Sequence, residues 1–118
     1  MSTFIKTEDV KILIDPGVSL APIRFSLPPH SLELQKLDQH WNSIVKFADK
    51  SDILIITHWH YDHHNPWENL EIYKNKVVLI KHPTEKINFS QKGRSAYFLK
   101  QIENFPSQLE YCDGREFQ

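Results

Sequence analysis

The run Thr57-His58-Trp59-His60-Tyr61-Asp62-His63-His64 gathers four of the chain's seven histidines and an aspartate into eight positions. Imidazole nitrogen and carboxylate oxygen are the donors that zinc and related divalent metals take. The run follows Ile53-Leu54-Ile55-Ile56, an apolar stretch that reads as a buried strand. If the chain stays extended past Ile56, His58, His60 and Asp62 project to one side, because successive side chains of a strand alternate. His63 and His64 follow where the chain must turn. The expectation is a metal centre at the end of a central strand. The competing account is a solvated, functionless His-rich loop, and the regular spacing directly after a strand weighs against it.

The elements around the run predict an α/β chain. Thr3 to Lys6 and Val10 to Ile14 read as strands joined by the polar turn Thr7-Glu8-Asp9. Four of the seven prolines fall between Pro16 and Pro29, an irregular loop in which Leu20, Ile23, Phe25 and Leu27 need burial. Ser31 offers an N-cap, and Leu34, Leu37, Trp41, Ile44, Val45 and Ala48 recur at helical spacing, so a helix is expected from Leu32 to Asp49 with Trp41 in the core. Trp67 to Tyr73 suits a short helix, and Val77 to Ile80 a strand ending at Lys81-His82. A second helix runs from a Ser90 cap to Ile102, with Tyr97, Phe98 and Ile102 as core residues. Leu109 to Cys112 reads as a strand, and Asp113-Gly114 as a hairpin turn.

At 118 residues the chain holds one domain at most. Its formal net charge of −1 gives no basic field for nucleic acid. The single cysteine, Cys112, excludes an intrachain disulfide and reads as a half-buried strand residue. No apolar stretch has the length of a membrane span or signal peptide, so a cytoplasmic location is expected.

H-x-H-x-D-H at His58 to His63 resembles the signature of the metallo-β-lactamase superfamily, and Ile12-Leu13-Ile14-Asp15-Pro16-Gly17 resembles its upstream strand ending in Asp. Lys11 to Pro29 and Lys76 to Thr84 resemble an uncharacterised archaeal group of predicted metal-dependent hydrolases within it. The resemblance implies half of a four-layer αββα sandwich, a mixed sheet with flanking helices. It further implies that His58 and His60 bind a first metal, and Asp62 and His63 a second. Asp62 would also orient the nucleophile or take its proton. Asp15 could itself ligate metal, but the resemblance implies that it fixes the metal loop by hydrogen bonds, with Gly17 giving the turn its backbone freedom. His64 and His82 are either ligands or supports, with His64 assigned to a backbone hydrogen bond and His82 to a turn beside the site. His30 and His40 are read as surface residues, and Trp59 and Tyr61 as packing on the opposite side.

The C-terminal half, which carries the remaining ligands in that superfamily, lies outside this chain. The expectation is therefore a partial domain of a roughly twofold longer enzyme. Complete, it would hold one or two zinc ions, with iron or manganese suited to the same donors, and would hydrolyse an ester, thioester, amide or phosphodiester. The alternative is a non-catalytic module that binds metal weakly or associates with a second copy through an uncovered sheet face.

Overall fold

Five short strands and two helices make up the fold of this computed structural model, which describes residues 2–18 and 31–113. In chain order they are β1 (Thr3–Lys6), β2 (Lys11–Ile14), α1 (Ser31–Lys50), β3 (Ile53–Ile56), β4 (Val77–Ile80), α2 (Phe89–Ile102) and β5 (Gln108–Tyr111), with a 3₁₀ turn at Leu70–Tyr73. The single sheet has the order β1-β2-β3-β4-β5. β1 pairs antiparallel with β2, and every later pair is parallel. The fold is thus α/β with a mixed sheet and helices.

A steady strand order with right-handed crossovers carries each connection over the same side of the sheet. Trp41, Ile44 and Ala48 of α1 and Phe98 and Ile102 of α2 accordingly share one core with Leu13, Leu54, Ile56, Val78 and Ile80. Each large apolar side chain buried there contributes about 1.5–3 kcal/mol. The other side has no helix among the described residues. There the register sets Ile12, Ile53 and Val77 in one row and Ile14, Ile55 and Leu79 in the next. All but Leu79 are only half-buried. Buried on one face and apolar on both, these strands read as continuous aliphatic runs rather than alternating ones.

Several expectations shift. α1 runs one residue further at each end than its periodicity indicates. Asn88, not Ser90, caps α2: its side chain accepts from the Gln91 N–H at 2.9 Å. Tyr97 stays exposed, and Ser95 takes the buried position facing Pro83, whose carbonyl accepts its hydroxyl at 2.8 Å. The helix expected over Trp67 to Tyr73 reduces to the 3₁₀ turn. Most of the proline-rich loop, His30 and the glycine of Asp113-Gly114 lie outside the described residues. Among the described residues, no helix is long and apolar enough to cross a membrane.

Candidate metal centre

β2 and β3 run parallel with Ile14 opposite Ile55, so both chains leave the sheet at the same end. Open α/β sheets place their ligands at this carboxyl end. The Asp15 N–H donates to Ile55 O at 2.6 Å. Its φ of 56° lies in the left-handed region, which aspartate tolerates better than most residues. The carboxylate is buried against Thr57. Oδ1 accepts from the Thr57 N–H and Oδ2 from the Thr57 hydroxyl, both at 2.7 Å.

That arrangement dictates the state of His58. The Thr57 hydroxyl has one proton, and it goes to Asp15. Its 2.9 Å contact with His58 Nδ1 is therefore one in which Oγ1 accepts from the ring N–H. With the proton on Nδ1, the His58 Nε2 lone pair is left for a ligand.

His63 is governed by the same carboxylate. Its Nδ1 stands 2.8 Å from Asp15 Oδ2, but off the line of a directed N–H···O bond, so this buried nitrogen lacks a well-aligned partner among the described residues. The negative charge still favours a proton there. On the ring's far side, Nε2 lies 3.5 Å from Asp62 Oδ2. The rings of His58 and His63 approach to 4.7 Å between centroids. One donor atom each from Asp15, His58 and His63 lie within 4.8 Å of one another.

The alternation argument does not explain this grouping. β3 ends at Ile56, and the next residues coil: His60 O accepts from both the His63 N–H (3.0 Å) and the His64 N–H (3.3 Å). Coiling brings His63 back beside His58 and sends His60 elsewhere. The exposed His60 turns its Nδ1 to the Arg94 guanidinium of α2 at 3.3 Å. His64 is fully buried, its Nδ1 donating to His60 O at 3.1 Å, with Trp59 and Phe98 edge-on to its ring. Burial lowers its pKa from 6.5 to about 4 and keeps it neutral.

His82 stands apart from the group. Its Nδ1 accepts from the backbone N–H of Thr84 (3.2 Å) and Glu85 (3.1 Å), which closes the turn after β4. Asp113 clamps the start of that turn, pairing with Lys81 and accepting from the His82 N–H at 2.6 Å. Exposed His40 and half-buried Asp62 share the lining of a cavity of about 490 Å³ between β1, β2 and α1, otherwise walled by Phe4, Leu13, Ile44 and Phe47. Trp59 packs into the core as expected, its Nε1–H donating to Lys81 O at 3.1 Å.

Gly17 has a different reason from the one expected. A Cβ there would stand 2.7 Å from the His63 carbonyl carbon, and closer still to the His64 nitrogen. It is close approach, not left-handed backbone, that demands glycine. Two further residues escaped the sequence reading. Thr57 was visible only as the first residue of the run, with no role of its own. Arg94 is 34 positions from His60, and nothing local links them.

The chain is 55% identical over its whole length to a UPF0282 protein of Korarchaeum cryptofilum. It is 50% identical to one of Sulfurisphaera tokodaii over 98% of the chain, and 48% identical to one of Metallosphaera sedula over 99%. It spans 39% of the length of each of these archaeal relatives. No family model matches the chain. No solved structure matches it either. These findings overturn the metallo-β-lactamase resemblance: strong similarity leads to UPF0282 proteins, and nothing in the comparisons points to that superfamily. The physical reason is that six residues of donor pattern describe what a strand-end loop can bind, and unrelated loops with the same task share it. What the chain is similar to, along its whole length, is about two-fifths of the extent of these UPF0282 proteins.

Proposed function

We propose that the loops after β2 and β3 form part of a divalent-metal centre, zinc being best suited, that serves hydrolysis in a longer protein. One observation carries this reading: the Thr57 hydroxyl, whose proton goes to Asp15, accepts from His58 Nδ1–H and leaves His58 Nε2 as a donor, while His63 Nδ1 stands 2.8 Å from the same carboxylate. Carboxylates that orient histidines in this way are a recurring support of metal sites. The 3.5 Å between His63 Nε2 and Asp62 Oδ2 is also close to the roughly 3.4 Å expected between two donors about 2.1 Å from a tetrahedral ion.

In this reading His58 and His63 hold the metal, Asp62 stands beside His63 Nε2 as a further donor, and Asp15, grouped with both rings, orients them together with Thr57. His60 joins only if its ring leaves Arg94, because Nδ1 accepting from the guanidinium puts the proton of the neutral ring on Nε2. A bound divalent metal supplies a water acidified to near neutrality. Asp62 is placed to orient that water or accept its proton, and buried His64 backs the turn without charge. The donors here fall short of a zinc ion's usual four. The remainder of the longer protein is proposed to supply the rest, and to lay a further layer on the open aliphatic face of the sheet. Both points draw on the relatives' greater length. A second reading, a non-catalytic module that self-associates, draws on that same open face.

The test is elemental mass spectrometry of the zinc-loaded, desalted chain beside His58→Ala/His63→Ala, followed by zinc-dependent cleavage of p-nitrophenyl esters and phosphodiesters. Metal held by the parent and lost in the variant supports the centre. Equal retention in both rejects it, and none in either shows that these donors do not hold zinc without the remainder.

A further inference from the structure

Arg94 projects from α2 onto the rim of the metal loop. Its guanidinium carbon lies 4.5 Å from the centre of the Tyr61 ring, a cation–π stack. Its Nη1 donates to His60 Nδ1 at 3.3 Å and reaches Trp59 O at 3.5 Å. These contacts fix the group's plane and position, and the side chain remains half-exposed. They engage Nη1 alone. Among the described residues no carboxylate lies within ion-pair distance of Arg94, whereas Lys81 is paired with Asp113. An arginine is always charged, and its fork of donors matches the paired oxygens of a carboxylate or phosphate.

The guanidinium touches the metal loop at Trp59, Tyr61 and His60. Of these, His60 is the one whose carbonyl anchors the turn carrying His63 and His64. We infer that Arg94 is a specificity residue that binds an oxyanion of the substrate, a phosphate or a carboxylate, on the rim of the loop that carries the metal donors. This rests on the proposed metal-centred function and narrows its substrate class to anionic esters or amides. The neutral His60 ring, with its Nδ1 satisfied by Arg94, offers its Nε2–H as a second donor to the same oxyanion. Charge and stacking preorganise the arginine, so binding needs little reordering.

The test is an NMR titration of the chain with inorganic phosphate and, separately, with acetate, following the Arg94 Nε–H and the ring signals of His60 and Tyr61. The expected result is a saturable perturbation at all three residues with at least one anion. Preference for phosphate or for acetate identifies which oxyanion the site takes. Arg94→Gln should weaken that binding at least tenfold, while Arg94→Lys, which keeps the charge, should weaken it less. Circular dichroism confirms that both variants fold. No saturation with either anion, or unchanged binding in Arg94→Gln, overturns the assignment. Metal content of the same samples separates the two readings. Metal retained without anion binding removes only the role of Arg94. Anion binding lost in Arg94→Gln without any metal uptake leaves the arginine's site standing and removes the hydrolytic one.

Discussion

Thr57 gives both its backbone N–H and its hydroxyl proton to the two oxygens of Asp15, at 2.7 Å each. The carboxylate at the end of one strand thereby holds the start of the loop at the end of the next. The hydroxyl, having surrendered its only proton, can serve His58 only as an acceptor. Replacing Thr57 with Val removes that relay at nearly constant volume. Zinc affinity, read by competition with a chelator, should fall about 10–100-fold. Thr57→Ser should restore most of it. Unchanged affinity in the valine variant would show that His58 is oriented by something else.

Gly17 allows the β2 loop to lie directly on the backbone of His63 and His64. Gly17→Ala forces backbone against backbone, which no side-chain rotation relieves. A loss of about 1–3 kcal/mol is expected from the urea midpoint, or more if the turn is displaced. Metal retention should drop with it, because His63 moves. Wild-type stability in the alanine variant would contradict the close approach.

Burial lowers the His64 pKa from 6.5 to about 4, with the charges of Arg94, His63 and His60 adding to the effect and the ring's bond to His60 O opposing it. Between these two values the unfolded chain takes up a proton that the folded chain refuses. The stabilisation is therefore complete above about pH 6.5 and is lost as the pH falls toward 4. It amounts to something on the order of 2–3 kcal/mol. Urea midpoints at pH 7.5 and pH 5 should differ accordingly. His64→Asn keeps a donor for His60 O but does not titrate, and should flatten the slope. An equal slope in both proteins would assign the pH dependence to other groups.

Tyr73 is completely buried against Phe98, and its hydroxyl has no hydrogen-bond partner among the described residues. Burial, reinforced by the charge of Asp15, pushes its ionisation far above the usual range, so the group is a neutral hydroxyl. Leaving such a group unbonded costs about 1–3 kcal/mol. Tyr73→Phe should accordingly leave stability unchanged or raise it by about 1 kcal/mol in thermal melts. A marked loss would mean that the hydroxyl is bonded after all.

The strands and helices were legible because each is a single uninterrupted signal. Four aliphatic residues at Ile53 to Ile56 and at Val77 to Ile80 could be little but buried strands, and the stripe through Trp41, Ile44 and Ala48 little but a helix face. The donor residues were legible by type. Their grouping was not, because it depends on where the chain stops being extended. Alternation holds only up to Ile56, and the two bonds onto His60 O then exchange His60 for a nearer pairing of His58 with His63. The hydrogen bonds of Asp15 onto the loop after β3 were expected only through the resemblance, not from its place at a strand end. The roles of Thr57 and Arg94 were not legible, since a hydroxyl or a guanidinium acquires its role only from what faces it. The left-handed backbone falls at Asp15 rather than at the expected Gly17, where crowding instead demands glycine, because both depend on packing between segments more than 40 residues apart.

Parallel pairing of β2 with β3 has a consequence for assembly. Asp15, Gly17, Thr57, His58 and His63 all belong to one strand–helix–strand unit, and the contact that ties them spans 42 residues. Closing a loop of that length costs on the order of 3 kcal/mol of chain entropy. The cost falls on the formation of β2 beside β3, which the sheet requires regardless of any ligand. During synthesis the orienting network can thus be complete once this unit has formed, before β4 and β5 are made. The hydrogen bonds from Asp15 to Thr57 would then be set early in the life of the chain, before the last two strands join the sheet.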